Sequence, residues 1–105
     1  MTLRREKLQE ALREAAAEFL AREANRQSLI TVTGAVVSED GKRGNILITV
    51  CPDSQEKAAA DFANRNRRAF TEFFKTRVRG ASPPRVEFVI DRGEKNRQRL
   101  DELSN

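Results

Sequence analysis

Asn64-Arg65-Asn66-Arg67-Arg68 interrupts an apolar helical face. Before it, Ala58, Ala59, Phe62 and Ala63 recur at helical spacing, and after it Phe70, Phe73, Phe74 and Val78 do the same. At Asn66 the pattern calls for an apolar side chain. Asparagine competes for backbone hydrogen bonds, so the spacing predicts a kinked pair of helices over 53–79 rather than one continuous helix. Asp53 stands where an N-cap is wanted, and Glu56 three residues on completes a capping-box-like arrangement. Gly80 offers an end to the second helix, and Pro83 and Pro84 prevent its continuation.

The flanking segments supply a sheet for this pair to pack on. Residues 28–37 and 45–51 are rich in β-branched side chains, with Ile30, Val32 and Val36 on one face of the first and Ile46, Ile48 and Val50 on one face of the second. Ser38-Glu39-Asp40-Gly41-Lys42-Arg43-Gly44 between them is turn chemistry, so the two strands should form a hairpin. Residues 85–90 alternate as a third strand, with Val86, Phe88 and Ile90 inward. Residues 3–24 read as an amphipathic helix that buries Leu8, Leu12, Ala15, Ala16, Phe19 and Leu20 and turns Glu6, Glu10, Glu14 and Glu18 to solvent. A short helix over 94–103 can dock Leu100 and Leu103 on the body. The fold class is therefore α+β, a single domain over 1–105 in the order α-β-β-α-kink-α-β with a short C-terminal helix and a three-stranded sheet packed against helices on one face.

Composition narrows the chemistry. The chain of 105 residues has no histidine, which removes the commonest acid–base catalyst and the commonest metal ligand. Its five glycines are scattered and form no phosphate loop. The lone Cys51 ends a strand pattern and reads as a small core residue. No metal-ligand cluster or catalytic set emerges, so we expect no enzyme, no cofactor and no metal. No apolar run is long enough to span a membrane and the first residues lack a signal-peptide core, so we expect a cytoplasmic chain with no membrane partner.

Charge carries the positive signal. The net charge is +4, but residues 65–85 alone hold seven basic side chains against Glu72, a local charge of +6, and the remainder of the chain carries −2. A basic segment on a near-neutral scaffold suits a phosphate backbone. Projected as a helix, Arg65, Arg68, Lys75 and Arg79 fall on one stripe with Phe70, Phe73 and Phe74 on the other side. Glu72 interrupts the stripe and is spaced to pair with Arg68, and Arg77 leans toward the apolar side as a structural residue. A helix restarting near Asn66 would present backbone N–H groups beside Arg67 and Arg68. The six phenylalanines all fit core positions, which favours phosphate and shape recognition over base stacking and implies a strong salt dependence. Candidate binding residues are Arg65, Asn66, Arg67, Arg68, Lys75 and Arg79, with Lys42 and Arg43 from the hairpin turn.

The segment order resembles a type II KH-like domain, and more specifically the ribosome-binding factor A family. Four segments carry the resemblance: the first helix from Leu8 to Phe19; Leu29-Ile30-Thr31-Val32-Thr33 running to Val37-Ser38-Glu39-Asp40; Arg68-Ala69-Phe70 with Phe73, Phe74 and Arg77, then Pro84-Arg85-Val86-Glu87-Phe88-Val89-Ile90-Asp91; and Arg99-Leu100-Asp101-Glu102-Leu103. The resemblance implies a non-enzymatic assembly factor that binds 16S ribosomal RNA of the immature small (30S) subunit and promotes its maturation; we expect it to act as a monomer. Such proteins carry an interhelical Ala-x-Gly kink, and the matching positions here read Arg67-Arg68-Ala69. Two other readings fit the charge alone: a generic KH-like RNA- or DNA-binding module, and a protein-interaction domain with an acidic partner.

Overall fold

The structure, a computed structural model, describes residues 2–23, 28–80 and 82–93. The elements in chain order are α1 (Thr2–Glu23), β1 (Leu29–Val37), β2 (Arg43–Cys51), α2 (Glu56–Arg65), α3 (Arg67–Arg77) and β3 (Arg85–Ile90). The predicted helix over 94–103, with Leu100 and Leu103, lies outside the described residues.

β1 and β2 form an antiparallel hairpin, and β3 joins the other side of β2 in parallel. Parallel neighbours cannot be joined by a tight turn, and the α2–α3 pair is the crossover that the geometry demands. Ile46, Ile48 and Val50 of β2 and Val86 and Phe88 of β3 share one cluster with Leu12, Ala16, Phe19 and Leu20 of α1, Ala59 and Ala63 of α2, and Phe70 and Phe74 of α3. The fold is the α+β, KH type II-like arrangement that the sequence predicts.

Phe70 is the hub of that core. Its ring centroid lies 5.6 Å from Phe19 on α1, 6.1 Å from Phe74 on its own helix and 5.7 Å from Phe88 on β3. The contacts to Phe19 and Phe88 are edge-on, the geometry aromatic quadrupoles prefer. One side chain therefore ties α1 and α3 to the sheet.

Several expectations give way to local physics. A bulge between Val32 and Gly34 adds a residue to β1 and shifts its pairing, so Ala35 and Val37, opposite Ile46 and Gly44, face the core while Val36, opposite Asn45, faces away. The Thr33 hydroxyl at the bulge lies 2.6 Å from Asp91 Oδ2, and Asp91 N–H donates to Ile48 O at 2.7 Å, so Asp91 fastens the end of β3 across the sheet to β1. Cys51 is exposed, not core: it follows the inward Val50 and so falls on the opposite face. Asp53 does not cap a helix. It opens a 3-10 turn, Asp53–Gln55, closed by Gln55 N–H donating to Pro52 O at 2.9 Å, and α2 begins at Glu56 with no side-chain cap.

β2 begins at Arg43, two residues before its predicted start, because the turn is drawn tight by its own side chains. Ser38 is fully buried; its N–H donates to Arg43 O and its hydroxyl donates to Asp40 Oδ1 at 2.7 Å while accepting Arg43 N–H. Asp40 Oδ1 also accepts Lys42 N–H at 3.0 Å. The Ser38 hydroxyl, and after it the Lys42 amide, hold the Asp40 carboxyl below its ordinary range. Gly41, at φ 75°, supplies the left-handed residue that closes the turn. From the other side α1 reaches over: Gln9 Oε1 accepts Val37 N–H at 2.9 Å and Arg5 Nε donates to Val37 O at 2.7 Å. These two side chains occupy the last hydrogen-bonding groups on the open edge of β1.

Candidate nucleic-acid interface

The break in the helical pair falls on Asn66, whose φ of −102° and ψ of 14° leave the helix. Its main-chain N–H turns to Ala63 O at 3.0 Å, and its side-chain amide donates to Phe62 O, four residues back, at 2.8 Å. Asn66 thus satisfies two carbonyls at the end of α2 while its own carbonyl accepts Phe70 N–H and starts α3. Arg67, Arg68 and Ala69 lie in the first turn of α3, so the kink sits one residue before the positions matched to the Ala-x-Gly motif.

Asn64 is the residue that sequence reasoning missed. Its amide donates to Phe88 O at 2.9 Å and its carbonyl oxygen accepts Phe88 N–H at 2.8 Å, so one side chain pairs with both main-chain groups of the most buried residue of β3. This clip fixes the junction against the sheet and covers the open edge of β3. A pair of asparagines two apart, one for the kink and one for the strand, was the available signal. Asn64→Ala should lower stability by ~1–3 kcal/mol, because two partly buried backbone groups lose their partners. Urea unfolding should show the midpoint falling with an unchanged slope.

The junction presents its cations outward. Arg65, Arg67 and Arg68 are all exposed, at the end of α2 and the start of α3, and Asn66 between them is half-buried. Arg67 Nε donates to Asn64 O at 3.1 Å, which fixes its direction at the kink. The remainder of the predicted stripe does not continue as one ridge. Asn66 resets the helical phase between Arg65 and Arg68, and α3 ends at Arg77, so Arg79 stands in the following turn, before Gly80 at φ 81°. Lys75 is exposed but pairs with Glu72 at 3.3 Å; that i,i+3 pair replaces the expected Arg68–Glu72 pairing. Lys42 is exposed in the hairpin turn and Arg43 is half-buried at the start of β2, beside Arg85 in the β2–β3 register.

Arg77 is structural, as its position suggests. It binds Glu18 of α1 with two hydrogen bonds, at 2.7 and 3.2 Å, and its guanidinium lies 4.5 Å from the Phe73 ring centroid. Glu18 is therefore an α1–α3 strut rather than part of a solvated stripe. Glu10 likewise pairs with Arg13. In each pair the arginine hydrogen bond holds the carboxyl below its ordinary range. A depressed folded-state value means that the stabilisation is present at neutral pH and is lost as pH falls through it. Glu18→Gln should therefore flatten the acid limb of stability below the ordinary carboxylate range, measured by denaturant midpoints, with a small effect because the pair is half-exposed.

The comparisons with known proteins bear on this geometry. The family model for Ribosome-binding factor A matches residues 4–104. The chain belongs to that family. The crystal structure of ribosome-binding factor A from Thermus thermophilus superposes with a TM-score of 0.75 at 26% identity, covering 85% of this chain and 98% of that one. Coordinates of the same Thermus thermophilus factor, a homology model fitted into the cryo-EM map of a 30S complex with it, give a TM-score of 0.68 at 26% identity over 79% of this chain and 90% of that one. A Thermotoga maritima protein solved by NMR shares the fold with a TM-score of 0.64 at 20% identity, over 88% of this chain and 87% of that one. No curated protein matches the chain. Within the ribosome-binding factor A fold, this member places three arginines and two asparagines at the kink.

Among the described residues no helix is long and apolar enough to cross a membrane.

Proposed function

We propose that this chain binds the immature small ribosomal subunit through 16S ribosomal RNA and promotes its maturation, acting by occupancy and not by catalysis, as a cytoplasmic monomer. The observation that carries this reading is the α2–α3 junction, where Arg65, Arg67 and Arg68 stand exposed around a kink held rigid by Asn64 and Asn66. A junction backbone held in one place presents its cations from fixed positions, and phosphate contacts set position and affinity. Membership of the ribosome-binding factor A family supports the ribosome as the target, and the fitted 30S complex of the Thermus thermophilus relative supports the small subunit. Lys42, Arg43, Lys75 and Arg79 extend the surface, with Lys75 the weakest contributor because Glu72 already holds it.

The test is co-sedimentation with purified ribosomal subunits. The chain should pellet with small subunits and not with large ones, and a cell lacking it should accumulate small-subunit RNA with unprocessed ends. Equal binding to both subunits and to arbitrary RNA would instead favour a generic KH-like module. A complex with a protein that survives nuclease would favour an acidic protein partner.

A further inference from the structure

A cleft of about 650 Å³ opens where three distant segments meet: the start of α1, the β1–β2 turn, and the chain after α3. None of its residues belongs to the α2–α3 junction. Leu8 and Ala11 of α1 and Val78 after α3 give it an apolar floor backed by the buried Val37 of β1, and Arg4 and Lys7 stand exposed on the α1 side. Glu39 and Asp40 line the turn side, with Asp40 already bonded to Ser38 and Lys42. Its size lies within the range of small-ligand sites.

The cleft is bipolar, with cations at one end, hydrogen-bond acceptors at the other and an apolar surface between. A nucleotide has the matching polarity. Its phosphate is anionic, its base has a flat apolar face, and the base edge carries N–H donors. An acidic peptide would meet the carboxylates of the turn, and a lipid headgroup would leave the apolar floor and the acceptors unused.

We infer that this cleft seats one unpaired nucleotide of the bound RNA, with its phosphate at Arg4 and Lys7 and its base over Leu8, Ala11 and Val78. The inference rests on the RNA-binding reading above and adds a second, separate contact to it. Single-stranded nucleotides splayed from a folded RNA are the elements that proteins read by pocket and stacking. Lys42 and Arg79, two predicted binding residues apart from the junction, are chain neighbours of lining residues Gly41, Val78 and Gly80.

The test is binding to small subunits across a salt series, using the full chain. Arg4→Glu/Lys7→Glu changes exposed side chains and should weaken binding about tenfold or more, lowering the slope of log K against log salt by ~0.7, the share of one phosphate contact on a single strand. Ala11→Leu narrows the cleft without changing charge and should weaken binding several-fold with the slope unchanged. If the Arg4→Glu/Lys7→Glu chain keeps wild-type affinity and slope while Arg65→Glu/Arg68→Glu loses both, the cleft is not a contact and the inference falls alone. If Ala11→Leu, folded by circular dichroism, binds like wild type while the double charge reversal is weak, the rim holds a phosphate but the floor seats no base, which also overturns it. Should Ala11→Leu fail to fold, a Val78→Leu chain takes its place. If wild type itself shows no salt-dependent binding, the RNA-binding reading fails instead.

Discussion

Phe70→Ala is expected to destabilise the domain by ~3–5 kcal/mol, the range for truncating a large buried side chain with incomplete collapse around it. Phe70 is 1% exposed and touches the rings of Phe19, Phe74 and Phe88 from three different elements. No neighbour can fill the hole without abandoning one of those contacts. A domain of this size has a total stability of roughly 5–15 kcal/mol, so the variant should sit near the edge of folding. Thermal unfolding should show Tm lower by roughly 15 °C or more. Phe73→Ala is the control. Phe73 is only half-buried, with Arg22 and Arg77 over its ring at 5.5 and 4.5 Å, so its loss should cost clearly less.

Arg65→Glu/Arg68→Glu should leave stability almost unchanged and weaken small-subunit binding about tenfold to hundredfold. Both side chains are exposed, and the fold places them on either side of Asn66 rather than in the core. Each phosphate contact contributes ~0.7–0.9 to the slope of log K against log salt, so the slope should fall by about 1.5. Lys75→Ala should change binding much less, since Lys75 spends its charge on Glu72. The contrast separates a localised phosphate site from a general effect of net charge, which would penalise each lost cation alike.

Much of this molecule could be read from periodicity. The third strand, the hairpin and the break at Asn66 all stand where the alternation and the interrupted apolar face put them. So does the inward set of β2 and β3. The departures share a cause: they depend on one residue's hydrogen bonds, which a period cannot encode. The bulge beside Val32 reverses the facing of Val36, and nothing in a run of β-branched residues marks where an extra residue enters. The start of α2 passes to Glu56 because a 3-10 turn after Pro52 satisfies its own backbone.

The candidate site was legible in charge but not in shape. A helical projection assumes one axis from Arg65 to Arg79, and the Asn66 break and the early end at Arg77 remove that axis. Asn64 escaped notice because its partners, the main-chain groups of Phe88, lie on a strand 24 residues away. The arginine at 77 was assigned correctly because an amphipathic stem on the apolar side has few other roles; its partner Glu18 required the packing of α1 on α3.

The central claim is that the α2–α3 junction meets small-subunit RNA. Ultraviolet crosslinking of the chain bound to small subunits, with mass spectrometry of the peptide–nucleotide adducts, tests it most directly. The account predicts adducts within residues 62–70, lost in Arg65→Glu/Arg68→Glu. Adducts confined to the sheet face that carries Thr31, Asn45 and Thr49, with the junction unmodified, would contradict it.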